Sequence, residues 1–195
     1  MKLSKGTIGI IAAVVVIAMW AASGYNSMVS EQEKATTALA NVQSAYQRRA
    51  DLIPNLVEVV KGYAEHEKGT FEAVVNARAK ATQITLDPTN LTPEKLQEFQ
   101  KAQGELGAAL GRLLAVQENY PELKANENFK DLQVQLEGTE NRINEARRNY
   151  NEVAQAYNVK IRQFPTNILA GLFNFGTKEK FAADSGAEKA PTVEF

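Results

Sequence analysis

Residues 126–163 read NENFKDLQVQLEGTENRINEARRNYNEVAQAYNVKIRQ, and this stretch decides the fold. Phe129, Leu132, Leu136, Thr139, Ile143, Ala146, Tyr150, Val153 and Tyr157 follow one another at alternating steps of three and four. That spacing puts nine small or apolar side chains on one stripe of a helix, and it predicts burial along a left-handed seam. Asn126 is a good N-cap, and Glu127 places a negative charge in the first turn. The opposite face carries Glu140, Arg142, Glu145, Arg147, Arg148 and Glu152, spaced for pairing with each other in water.

A buried stripe needs other helices to bury it. Upstream, Ala35, Leu39, Val42, Tyr46, Ile53, Leu56, Val60 and Tyr63 keep a period near 3.5, and the pattern resumes at Phe71, Val74 and Ala81. A helix unbroken from Glu31 to Thr85 measures about 80 Å. Pro54 removes one backbone donor and crowds the Ala50 carbonyl, so a kink is expected there and not a stop. Gly69 is a second candidate break. Asp87–Asn90 is a turn, and Thr92-Pro93 reads as N-cap plus first helical residue. A second helix then carries Leu96, Phe99, Gln103, Leu106, Leu110 and Leu113 on one face until Asn119-Tyr120-Pro121. Its glycines at 104, 107 and 111 predict close approach by a neighbouring backbone. With short turns the helices run up, down and up, and a break at Gly69 would add a fourth and shift the directions. No strand-like alternation occurs between residues 31 and 162. The expected fold is all-α: an N-terminal transmembrane helix followed by an antiparallel bundle of three or four long, coiled-coil-like helices.

The transmembrane element is TIGIIAAVVVIAMWAASGY, residues 7–25, nineteen residues without a charge. At 1.5 Å per residue it reaches roughly 28 Å, the thickness of a hydrocarbon core. Trp20 and Tyr25 stand near its far end, where such rings favour the interface. Ala22-Ser23-Gly24 would suit signal cleavage, but the run is longer than a signal-peptide core. Lys2 and Lys5 precede the span and no acid appears before Glu31, so the N-terminus is expected in the cytoplasm and the bundle outside the cell membrane. The opposite orientation stays open. All 23 acids but only 20 of the 22 bases lie beyond the span, a net charge of −3 that argues against docking to anionic lipid by bulk charge. The resulting organisation is a short tail at 1–6, the anchor at 7–25, the bundle at 26–162, an apolar segment at 163–175 and a flexible tail at 176–195. The apolar segment includes Ile168, Leu172, Phe173 and Phe175. It is too short to span a bilayer, so it packs on the bundle, a subunit or the membrane surface.

Composition excludes much chemistry. The chain has no Cys and one His, which removes disulfides, thiolate sites, Cys nucleophiles and multi-His metal sites. No phosphate-cradling glycine motif is present. Adjacent residues point about 100° apart on a helix, so Glu65-His66-Glu67 cannot converge on one ion. No catalytic, cofactor-binding or metal-ligating residue is expected, and no cofactor and no nucleic acid partner. The one oddity is Arg49, which falls on the apolar stripe. A buried arginine needs partners, and Glu137, Glu140 or Asn141 on the last long helix are the candidates.

Several blocks stand out together. They are the hydrophobic anchor followed by Arg48-Arg49-Ala50-Asp51-Leu52-Ile53-Pro54-Asn55-Leu56-Val57, then Tyr120-Pro121-Glu122-Leu123-Lys124-Ala125 with Phe129. Glu137-Gly138-Thr139-Glu140-Asn141-Arg142-Ile143, Ala146 through Asn151, and Phe164-Pro165 follow. In combination these blocks resemble the LemA family of bacterial membrane proteins. The resemblance implies a membrane-anchored helical bundle and supplies no reaction. The structural or interaction positions put forward are therefore Arg48, Arg49, Asp51, Pro54, Asn55, Tyr120, Pro121, Glu137, Glu140, Asn141, Arg147 and Arg148, with Ile168, Leu172, Phe173 and Phe175. The functional expectation is a non-enzymatic scaffold or adaptor, a homo-oligomer bound to the bilayer through residues 7–25. It would organise membrane or envelope proteins as partners. The alternative is an envelope sensor using a polar cleft near Pro54.

Overall fold

A computed structural model describes residues 5–182. The expectations for residues 1–4, Lys2 among them, and for residues 183–195 lie outside these residues, while Lys5 and Gly6 of the expected tail belong to the first helix. Six helices follow in order: α1 (Lys5–Lys61), α2 (Lys68–Gln83), α3 (Pro93–Ala115), α4 (Pro121–Ala125), α5 (Glu127–Arg162) and α6 (Thr166–Leu172). A 3-10 turn, Val116–Asn119, joins α3 to α4. Among the described residues there is no strand, as the sequence predicts. Thr92 accepts from the Lys95 amide and Asn126 from the Phe129 amide, so both expected caps are made.

Helix α1 runs through Pro54 without a stop and is 57 residues long, about 86 Å. Its N-terminal part is long and apolar enough to cross a membrane, and that part touches little else in the chain. The break in the upstream pattern falls at Gly62–Glu67, not at Gly69, which lies inside α2. The chain reverses there because Ala64, fully buried, folds back under the helix end, its amide bonding the Val60 carbonyl. The extra helix makes the order up, down, up, down. Helix α5 therefore runs antiparallel to α1 and returns to the membrane-proximal end, where three unbroken helices would have sent it outward.

Three apolar clusters stack along the bundle. The distal one joins Ile53, Leu56 and Val60 of α1 to Phe71 and Val74 of α2, Leu106 and Leu113 of α3, Leu123 of α4 and Phe129, Leu132 and Leu136 of α5. The middle one joins Leu39, Val42 and Tyr46 to Leu96, Phe99, Ile143, Tyr150 and Phe181. The basal one holds Met28, Tyr157 and Ile161 with Leu169 and Ala170 of α6. Seven of the nine residues of the heptad stripe read in α5 are buried, and Ala146 and Val153 are half-buried.

The first residues of the expected tail, 177–182, lie along α5. After α6, Asn174 adopts φ 57°, which lets the chain turn back up along α5. Asn158 bonds both the amide and the carbonyl of Lys178, and one heptad earlier Asn151 does the same for Phe181. Each asparagine side chain thus acts as a short piece of sheet edge. Phe181 fills the middle cluster, meeting the Tyr150 ring edge-on at 5.4 Å. Tyr150 donates to the Glu179 carbonyl at 2.8 Å.

Burial, reinforced by the charge of Glu179, pushes the Tyr150 phenol up to about 12. The folded state thus favours the neutral phenol. Its contribution is complete below pH 10 and is lost as pH rises from 10 toward 12, a swing of about 2 kcal/mol. Urea unfolding of the full chain in detergent across that range should show the loss, and Tyr150→Phe should flatten this part of the profile.

Candidate functional site

The distal and middle clusters are separated by a polar layer. Among the described residues the buried polar side chains are Arg49, Gln103 and Thr139, and all three lie in it, one each from α1, α3 and α5. The Arg49 Nη1 donates to Glu140 Oε2 at 2.9 Å. Its Nη2 donates to the Gln103 side chain at 2.7 Å and to the Gln103 carbonyl at 3.2 Å. The guanidinium also lies 5.2 Å from the centre of the Tyr46 ring. Gln103 Nε2 reaches the Ala81 carbonyl of α2 at 3.4 Å. Thr139 returns its hydroxyl to the Leu136 carbonyl. Every long helix therefore contributes to one layer. A one-turn slip of any helix would strand a buried charge, which costs far more than a shifted apolar contact.

Pro54 takes part indirectly. Its missing amide leaves the Ala50 carbonyl without the donor that a helix normally supplies. Arg78 of α2 fills the vacancy, its Nε donating at 2.8 Å. An unmet buried carbonyl costs about 1–3 kcal/mol, so this bond removes the penalty and ties α2 to α1 at the same level.

Above the layer lies an open groove. Helix α3 packs on α2 and α5 packs on α1, and a space of about 810 Å³ separates the α3 and α5 faces. Arg49 and Tyr46 form its floor, Gly104, Gly107 and Gly111 one wall, and Val134, Glu137 and Glu140 the other. Among the described residues, no atom beyond the neighbouring backbone of α3 itself stands within 4 Å of where a Cβ would sit on any of the three glycines. The close backbone approach expected from them is absent within the described residues. On another side of α1, Arg48 and Asp51 line a second recess of about 690 Å³ with Thr82 and Arg142. Asp51 there accepts from Gln47 at 2.7 Å.

The remaining sequence-derived positions scatter. Pro54, Asn55 and Asn141 are exposed. Tyr120 is partly buried against the distal cluster, and Pro121 opens α4 at the far end. Arg147 lies with its guanidinium 5.6 Å from the Phe181 ring and bonds the Ala182 carbonyl, while Arg148 pairs with Glu145 on the outer face. Ile168, Leu172, Phe173 and Phe175 gather at the base of the bundle. Sequence reasoning missed Arg78 and the role of Gln103. The orphaned Ala50 carbonyl was a signal that some donor must come from outside α1, and Gln103 on an otherwise apolar face was a signal of a buried partner.

Replacing Gln103 by Leu leaves the Arg49 charge buried with one acceptor fewer, and should cost about 2–4 kcal/mol. The same change in an Arg49→Met background should cost much less, because no charge is stranded. Arg78→Met should cost about 1–2 kcal/mol by freeing the Ala50 carbonyl. Equilibrium urea unfolding followed by helical circular dichroism measures all of these.

The LemA family model matches residues 38–195, which include the polar layer, the groove and the basal segment. Magnetosome protein MamQ 2 of Paramagnetospirillum magneticum is 29% identical over 174 residues, covering 80% of this chain and 64% of that protein. Magnetosome protein MamQ of Magnetospirillum gryphiswaldense shows the same identity and coverage. Protein LemA of Metamycoplasma hominis is 28% identical over 145 residues, 74% of this chain and 63% of its own length. The chain spans just under two thirds of the length of these curated relatives. On the family match, which takes in most of the bundle, the chain belongs to the LemA family.

Proposed function

We propose that the protein is a membrane-anchored, non-enzymatic scaffold that self-associates and recruits envelope proteins through the groove between α3 and α5. The observation that carries this reading is the groove itself. Its glycine wall offers bare backbone to within a helix's reach, and nothing in the described chain uses it. A partner helix seated there would gain the close packing that three helix-interior glycines otherwise forgo, each at about 1 kcal/mol relative to alanine. Helix α1 adds a second support. One helix serves both as anchor and as bundle wall, so associated copies hold their grooves at a common height above the bilayer. The magnetosome names of two relatives support a role at a membrane and nothing finer. In this reading the two lysines before the span hold the N-terminus in the cytoplasm and the bundle lies outside.

A second reading is an envelope sensor that binds a small anion. The recess beside Arg48 and Arg142 favours it, since both residues line the same space and Asp51 is already engaged by Gln47. In that case phosphate or a sulfated sugar should raise the melting temperature, and Arg48→Gln should abolish the rise.

The absence of Cys makes single-cysteine variants clean. Under the scaffold reading, a photoactivated cross-linker attached to Gly107→Cys captures a second protein chain in native membranes, whereas the same probe on Asn76→Cys on the exposed face of α2 does not. Equal cross-linking of both, or a single copy by native mass measurement in mild detergent with no co-purifying protein, rejects the reading. The Asn76→Cys variant also reports orientation, because an impermeant maleimide should label it in intact cells.

A further inference from the structure

We propose that α6 and the uncharged stretch around it form a foot that lies in the headgroup–acyl boundary of the bilayer crossed by α1. The proposal rests on the anchor reading of residues 7–25 and adds a second, separate lipid contact to it.

The foot has two apolar faces. Leu169 and Ala170 point inward and are buried with Met28, Tyr157 and Ile161. Phe164, Ile168 and Leu172, spaced by four, are 81%, 58% and 74% exposed. From Gln163 to Thr177, fifteen residues, the chain carries no charge. A cap that faced water would place polar side chains on its outer face. This one places three large hydrophobic ones there, together with Phe173.

Its height on α1 identifies the occupant. A Cβ on Gly24 would stand 2.8 Å from Leu169 Cδ1, so the foot touches the last turn of the uncharged run. The Tyr25 ring meets Phe173 at 4.9 Å and Phe175 at 5.7 Å, both edge-on. Tyr25 closes the nineteen-residue run, whose length of roughly 28 Å fits one hydrocarbon thickness. The foot therefore sits within about one helical turn of the hydrocarbon boundary, the depth at which amphipathic interfacial segments lie. Trp20, also exposed, stands near the same end of the uncharged run. Lys160 and Arg162, in the last turn of α5, bring cations to the edge of the foot where phosphate groups stand. The apolar outer face is thus continuous with the surface of the span, and lipid covers both.

Three full-length single-cysteine variants carrying an environment-sensitive NBD label test this. They are reconstituted in phosphatidylcholine–phosphatidylglycerol vesicles and quenched with nitroxide-bearing lipid. Val14→Cys reports the span, Leu172→Cys the foot and Val134→Cys the bundle wall. The expected result is strong quenching at Val14 and quenching at Leu172 about threefold above that at Val134. Quenching at Val14 with Leu172 no different from Val134 overturns the foot and leaves the anchor intact. Failure at Val14 removes the anchor and the foot together. A Leu172 label shielded from the nitroxide at high protein-to-lipid ratio, and released to water on dilution with lipid, assigns the face to a second copy and overturns the proposal. Leu172 is exposed, so its replacement leaves the core untouched. Ile168→Cys repeats the measurement one turn away.

Discussion

The antiparallel seam between α1 and α5 is the constraint that orders this molecule. Each of the three clusters is built on it: Leu56 with Phe129 and Leu136 far from the membrane, Val42 with Ile143 and Tyr150 in the middle, and Met28 with Tyr157 and Ile161 at the base. Apolar stripes alone would tolerate sliding, since one heptad resembles the next. The Arg49 layer forbids it. A cation held by Glu140 and Gln103, with Arg78 completing the hydrogen bonding around Pro54, allows one register for all four long helices. Such a layer need not add net stability, but it penalises every alternative packing.

The family block around Arg48–Val57 acquires a physical meaning from this layer. Arg49 supplies the charge, Pro54 vacates a carbonyl, and the carbonyl draws α2 inward. Arg48 and Asp51, on the outer side of the same turn, have no part in the layer and line a separate recess. One short motif thus does two jobs on two faces of a helix. The arrangement also explains why the groove persists. The polar layer fixes α3 through Gln103 at one level, and above it the glycine face of α3 stands across an open space from Val134 and Glu137 of α5.

The helical class, the caps and the α5 seam were legible because they depend on periodicity and on local chemistry. Arg49 was legible for the same reason, as a charge on an apolar stripe, and Glu140 was among its three named partners. The break at Gly62 was not. The stripe stays in phase from Val60 to Tyr63, so the pattern continues while the chain turns, and the decisive event is the tertiary burial of Ala64. That local misplacement changed a global property, because one more reversal sends α5 toward the membrane. The clamped segment at 177–182 was hidden for a different reason. Asn151 and Asn158 look like solvent-facing residues until a strand-like backbone arrives to use both ends of each amide. Phe181, a lone aromatic among charges, was the available clue.

The continuity of α1 has a mechanical consequence. If residues 7–25 cross a bilayer, the helix from Tyr25 to Lys61 continues about 54 Å beyond it without a break. Single spans lean to accommodate the thickness of the lipid around them, commonly by about 20°. A rigid lever of this length converts a 10° change of lean into a sideways displacement of about 9 Å at its tip. Variation in membrane thickness or lateral tension would therefore be read out at the far end of the rod as motion several times larger than the change that caused it.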